Sequence, residues 1–173
     1  KYRVPRIVFV NKMDRAGTDF EGCIRQLRAK LRANPIAVQL PLCSEDQFQG
    51  VIDLLREKAI VYRDETLGAA YDVTDIPAAL VPKARRYREQ MIEALSEIDD
   101  QILSKYAHGE PVSAEELQAS LRRNTIALAV VPVLCGAAFR NKGVQPLLDA
   151  VVNYLPSPVD IPPVEGMSPD GEE

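Results

Sequence analysis

The 173-residue chain carries 21 Lys and Arg against 25 Asp and Glu, a net charge of −4, with 46% hydrophobic and 27% charged residues. That balance describes a globular protein, allows one ordinary domain with a modest insertion, and creates no overall field towards nucleic acid or anionic membrane. No apolar run reaches the roughly 20 residues of a membrane span, and three scattered cysteines (Cys23, Cys43, Cys135) without a C-x-x-C pair point to a reducing, cytoplasmic compartment.

The opening Lys1-Tyr2-Arg3-Val4-Pro5 has neither an initiating Met nor an apolar signal region and reads as cut from something longer. Ile7-Val8-Phe9-Val10 is an unbroken apolar run, the pattern of a strand covered on both faces in a parallel sheet. A polar loop, Asn11 to Gly17, follows it. Thr18 and Glu21 have capping-box spacing, predicting a helix with Phe20, Cys23, Ile24, Leu27 and Leu31 on its apolar face and a stop at Asn34-Pro35.

Residues 36–42, 49–54, 58–63 and 70–73 read as strands between turn residues. Leu80, Ala84, Tyr87, Met91, Leu95, Ile98, Ile102 and Tyr106 then keep helical spacing, with a break expected near Asp99-Asp100 and an end at His108-Gly109. Ser113 and Glu116 make a second capping box. This middle stretch, 36–124, is expected to form an inserted subdomain with its own small core between two parts of a main domain, 1–35 and 125–157.

Ile126 to Cys135 supplies another apolar run, interrupted by Pro132. The small-residue loop Gly136-Ala137-Ala138 follows, then Val144, Leu147, Leu148, Val151, Val152 and Leu155 at helical spacing. Two strand–loop–helix units of this kind predict neighbouring strands of one sheet, with ligands collecting beyond the strands' carboxyl ends. The Pro-rich stretch 158–173 reads as an extended linker.

Asn11-Lys12-Met13-Asp14 spells N-K-x-D in the first such loop. A carboxylate accepts from two adjacent donors, and guanine presents two on one edge, the ring N–H and the exocyclic amine. Adenine has no such pair and would leave the carboxylate unsatisfied. The Lys stem can lie along the base plane. The triple arises by chance in roughly 2% of chains of this length, so its position after a strand counts in its favour. Ala137 and Ala138 add backbone N–H groups that small side chains let a base oxygen approach.

Other candidates are weaker. Asp14-Arg15-Ala16-Gly17 matches D-x-x-G, but its Asp belongs to the base-reading motif. His108 is the only His, and no G-x-x-x-x-G-K-[ST] phosphate loop occurs. The basic groups Arg25, Arg28, Lys30, Arg32 and Lys83, Arg85, Arg86, Arg88 sit among acids and read as solvated helix faces.

Val4-Pro5-Arg6-Ile7 running into Asn11-Lys12-Met13-Asp14-Arg15, the phrase Phe48-Gln49-Gly50-Val51-Ile52-Asp53-Leu54, the run Phe139 to Gln145 and the ending Tyr154-Leu155-Pro156-Ser157-Pro158 resemble bacterial-type elongation factor G over about residues 2 to 166. Ribosome-protecting and release-factor-recycling GTPases share the base-reading motif; the insertion and the Leu-Pro-Ser-Pro ending favour elongation factor G. The resemblance implies an α/β fold, part of a P-loop GTPase domain with flanking helices and an inserted small α+β subdomain. It implies guanine recognition of GTP and GDP by Asn11, Lys12, Asp14, Ala137 and Ala138, with Ala137 standing where the family often has Ser. It further implies Mg²⁺ at phosphates whose ligands, like the switches and the catalytic His, are not among these residues, so no catalytic residue and no metal ligand is expected here. The implied partners are the ribosome and, through the insertion, its acidic stalk protein, with no membrane and no independent DNA binding. A non-catalytic stalk-binding module is the alternative.

Overall fold

The computed structural model describes residues 4–44, 47–63 and 67–160. Val8–Val10 (β1) leads through Phe20–Leu31 (α1) to Pro35–Ala37 (β2). Gln39–Ser44 (β3), Gln47–Asp53 (β4), Lys58–Tyr62 (β5) and Tyr71–Asp75 (β6) follow, then helices Val81–Ser96 (α2), Asp100–His108 (α3) and Ala114–Ile126 (α4). Val131–Cys135 (β7) and Val144–Tyr154 (α5) complete the order. The strands make a parallel sheet of order β1-β7-β2 and an antiparallel meander of order β3-β4-β5-β6. The expected parallel neighbours are present: Val8, Phe9 and Val10 pair with Val133, Leu134 and Cys135.

The apolar run 36–42, expected as one strand, is two strands in different sheets. Val38 is the corner: its N–H donates to the Val133 carbonyl at 3.0 Å, while its own carbonyl accepts from Leu54 N at 3.1 Å. The expected boundary at residue 36 therefore falls inside β2, a strand of the parallel sheet. Buried side chains of the stretch 36–124 pack against those of the flanking parts. Ile36, Leu40, Val51, Leu54, Met91, Leu95, Leu117, Leu121, Val133 and Leu134 belong to one contiguous buried cluster. At roughly 1.5–3 kcal/mol per buried large aliphatic side chain, this shared cluster is the main bond between the two sheets.

Pro132 sits inside the central strand β7 without breaking it. Odd positions face β2, since Val131 N donates to Asn34 O at 2.9 Å, and Gly136 N donates to Val10 O on the other side. The N–H that Pro132 lacks would point towards β1, whose first pair with β7 is Val8–Val133. No ladder bond is lost there.

Helix ends follow local chemistry. α3 starts on Asp99 and stops at Gly109 in the left-handed region (φ 67°), and Ser113 with Glu116 closes the expected capping box of α4. At α1 the expected Thr18–Glu21 box is replaced by Asp19, which accepts from Gly22 N at 2.7 Å and pairs with Arg25 at 3.1 Å. Gly22 makes room for this cap, because a Cβ there would lie 2.2 Å from Asp19 Oδ2. Glu21 instead pairs with Lys83 of α2 at 2.8 Å, which holds its carboxyl below the usual range.

One of the basic residues expected on a solvated face is half-buried and bound to backbone: the Arg88 guanidinium donates to the carbonyls of Leu54, Leu55 and Val112 at 2.8, 2.9 and 2.8 Å. The expected linker lies outside the described residues beyond 160. Its first residues, Pro158–Asp160, form a 3-10 turn anchored by Asp160 to Arg122 at 2.6 Å. Among the described residues no helix is long and apolar enough to cross a membrane.

Candidate nucleotide-base site

The two loops singled out in the sequence meet at the carboxyl end of the parallel sheet. Gly136 N donates to Val10 O, and Met13 N donates back to Gly136 O, both at 3.0 Å. These bonds extend the β1–β7 pairing one step past the strands, so the N-K-x-D loop and the small-residue loop leave the sheet side by side. Gly136 is required at the crossing, because a Cβ would lie 2.5 Å from both the Lys142 carbonyl oxygen and the Phe9 ring. Met13 is buried beneath them, at 4% exposure.

Asn11 joins the loops. Its Oδ1 accepts from Ala138 N at 3.0 Å and from Lys12 N at 2.8 Å. Lys12 adopts φ 63°, a left-handed conformation that costs a non-Gly residue about 1–2 kcal/mol. The Asn11 bond to its amide and the Arg15 N to Lys12 O bond at 3.1 Å hold that turn. Lys12 is exposed and free to lay its stem over a ligand.

Asp14 is half-buried, and its Oδ2 pairs with Arg140 Nε at 3.2 Å. All five residues expected at the site are thus brought together, although the Ala137 and Ala138 amides are engaged inside it. Ala137 N donates to Lys142 O at 2.9 Å, and Ala138 N to Asn11. The preceding Cys135 is fully enclosed, and burial pushes its thiol well above the usual range, so it is unreactive packing rather than a nucleophile.

Three neighbours escape sequence reading. Arg140 reaches Asp14 from the far end of the chain. Lys142, at 3% exposure, sends its ammonium inward to Phe48 O at 3.2 Å. Phe139 stands fully exposed beside Ala138. The last carried a signal, since a large aromatic in a small polar loop lacks an obvious place in the core; the other two depend on long-range contacts. The donor set suits the edge of a purine: a carboxylate, an amide oxygen and backbone N–H groups at one loop junction, with a Lys stem and an aromatic ring beside them. Among the described residues no group of three or more His, Cys, Asp or Glu side chains could hold a metal ion.

A parallel α/β sheet with this loop junction at its carboxyl end belongs to the P-loop GTPase class. Comparison with known proteins gives the family: the elongation factor Tu GTP binding domain matches residues 1–157, and the chain belongs to it. It is therefore a domain of the translation-factor GTPases, a guanine-nucleotide-binding family. The chain is also similar to a protein of known crystal structure from Thermus thermophilus, with 30% identity and a TM-score of 0.78. That match covers 90% of this chain and 23% of the other, so the chain spans under a quarter of that relative's length.

Proposed function

We propose that this chain is the guanine-recognition part of a ribosomal translocation factor of the elongation factor G type. The observation that carries the reading is the junction at Asn11: one side-chain oxygen ties the N-K-x-D loop to the Ala138 amide, which sets Asp14 beside the same loop. In this scheme Asp14 accepts from the ring N–H and the exocyclic amine of guanine. Asn11 Oδ1 holds the acceptor position on Ala138 N that a base oxygen takes over. The Lys12 stem and the Phe139 ring flank the base. The phosphates and Mg²⁺ of GTP would be held by groups outside these residues, so the reaction is assigned to the whole factor. The factor's partner is the ribosome, and the region 36–124 is the proposed dock for the acidic stalk protein. β6, the outer strand of the meander, exposes Tyr71 and Val73 there; chemical-shift changes in β6 on adding the stalk C-terminal domain test this.

The base contacts alone give weak binding. Two charge-assisted hydrogen bonds contribute roughly 1.5–3 kcal/mol each, against an association cost of about 4–15 kcal/mol. GDP is therefore expected to bind at millimolar concentration or weaker. Calorimetric titration with GDP and ATP, beside Asp14→Asn titrated with XDP, tests the reading. The expected result is weak GDP-selective binding that the substitution turns towards XDP. A folded chain that takes ATP as readily as GDP, or whose selectivity ignores Asp14→Asn, refutes it.

A further inference from the structure

The base-contacting loop touches the antiparallel meander as closely as it touches the parallel sheet, and the contacts are polar. Lys142 is buried at 3% exposure, and its Nζ donates to Phe48 O of β4 at 3.2 Å. Phe48 lies beyond the last β4–β5 pair, Gly50–Val61, and beside the register shift of β3 against β4. Two further side chains, Asn141 of the same loop and Gln145 in the first turn of α5, reach the turn between β5 and β6. Asn141 Nδ2 donates to Leu67 O at 3.0 Å, and Gln145 Nε2 donates to Gly68 O at 3.1 Å. Gly68, at φ 77°, comes so near that a Cβ would lie 2.3 Å from Arg140 O.

A buried ammonium is an expensive way to fill space. Its desolvation costs several kcal/mol, and an apolar side chain of similar volume is often as stable or more so. What a charged group adds is direction, because it fixes which carbonyl it meets. At Lys142 that direction is transmitted immediately. Its backbone carbonyl accepts from Ala137 N at 2.9 Å, and its N–H donates to Ala137 O at 3.2 Å. Ala138, the amide held by Asn11, is the next residue.

We propose that Lys142 is a positioning residue for guanine recognition: with Asn141 and Gln145 it braces the Ala137–Ala138 loop against Phe48 and the Leu67–Gly68 turn, so the meander sets the geometry of the base-contacting amides. The inference rests on the guanine-recognition reading and adds to it a coupling between the two sheets. Whatever moves the meander then changes base affinity, and base binding stiffens the meander by the same factor.

The test compares wild type, Lys142→Met and Asn141→Gly, the last keeping the left-handed backbone at φ 55° while removing one tether. Three quantities are read on each: the urea unfolding midpoint, amide exchange at Ala137 and Ala138 relative to Val133, and the GDP dissociation constant from NMR titration. The expected result is a midpoint lowered only by the loss of the tether itself, exchange at Ala137 and Ala138 faster by about tenfold, and GDP binding weaker by about the same factor, within the usual range of coupling between linked sites. A merely structural role would move the midpoint and leave the exchange ratio and the Ala138 chemical shift alone. Wild-type exchange and wild-type affinity in both variants overturn the proposal. If wild type itself shows no GDP-selective shifts, the guanine reading fails, while the exchange ratios still decide whether the brace exists. Asn141→Gly carries the test if Lys142→Met fails to fold.

Discussion

Replacing Arg88 by Met keeps most of the apolar stem and removes the guanidinium, and the structure specifies what that removes. Three carbonyls lose a charged donor: Leu54 and Leu55 in the turn after β4, and Val112 before α4, at 2.8, 2.9 and 2.8 Å. The side chain is 14% exposed, and its one ion pair, with Glu57 at 3.5 Å, is loose and faces solvent, so the backbone bonds dominate. Hydrogen bonds from a charged donor contribute about 1.5–3 kcal/mol each, and unsatisfied carbonyls cost about 1–3 kcal/mol. Taking the low end for all three gives about 4–5 kcal/mol. Some relief comes from water entering at the partly open side, which leaves a destabilisation of about 3 kcal/mol. In a chain of this length that is a fall in Tm of roughly 6–12 °C. Urea unfolding followed by circular dichroism measures it, with the m-value unchanged if only stability is altered. A loss below about 1 kcal/mol would refute the reasoning, since the three carbonyls would then be served by water and Arg88 would be the solvated residue its sequence context implies.

Asp99 caps α3 and also accepts from Ser120 Oγ at 2.6 Å and pairs with Arg123 at 2.7 Å. Burial pushes its carboxyl up, but the Ser120 and Arg123 contacts outweigh it and leave the carboxyl below the ordinary 3.8. A depressed folded-state value gives stability that is complete above the unfolded value and is lost as pH falls through the folded one. Asp99→Asn is therefore expected to lower stability by a constant amount above about pH 5. The gap to wild type should close below about pH 4, and parallel pH–stability curves down to about pH 2.5 would contradict this. Gly136→Ala places a methyl against the Lys142 carbonyl and the Phe9 ring. It is expected to cost about 2–4 kcal/mol and to shift the Met13 and Ala138 amide resonances together, whereas a thermal melt within about 2 °C of wild type would count against the tight crossing.

Signals confined to a few residues were readable without the structure. The Ser113–Glu116 box, the Gly109 stop, the break at Asp99 and the parallel pairing of two apolar runs all depend on nearest neighbours or on a run buried on both faces. The position of the N-K-x-D loop was legible for the same reason: it spans four residues and its place follows from the strand before it. What the sequence hid was decided between distant segments. Thr18 loses the cap to Asp19 because Gly22 leaves space for the carboxylate and Lys83 draws Glu21 away. The 36–42 run divides at Val38 because Val133 takes its N–H and Leu54 its carbonyl. Arg88 and Lys142 look like surface residues until the carbonyls they meet are brought to them.

The parallel strands are short, three residues in β1, five in β7 and three in β2. So small a ladder is a poor mount for a site that must hold donors to fractions of an ångström. The remaining constraint comes from crossings outside the ladder. Met13 to Gly136 and Asn11 to Ala138 join the two loops, and Lys142 to Phe48 and Asn141 to Leu67 join the second loop to the meander. Each bond taken alone is worth about 1 kcal/mol, or about 1.5–3 kcal/mol from the charged Lys142, less than the core beneath it. Their effect is geometric: they share the short ladder's task of orientation with four antiparallel strands. A substitution that leaves the core intact but cuts one crossing should therefore appear first in base discrimination and only later in stability, the reverse of what a core cavity does.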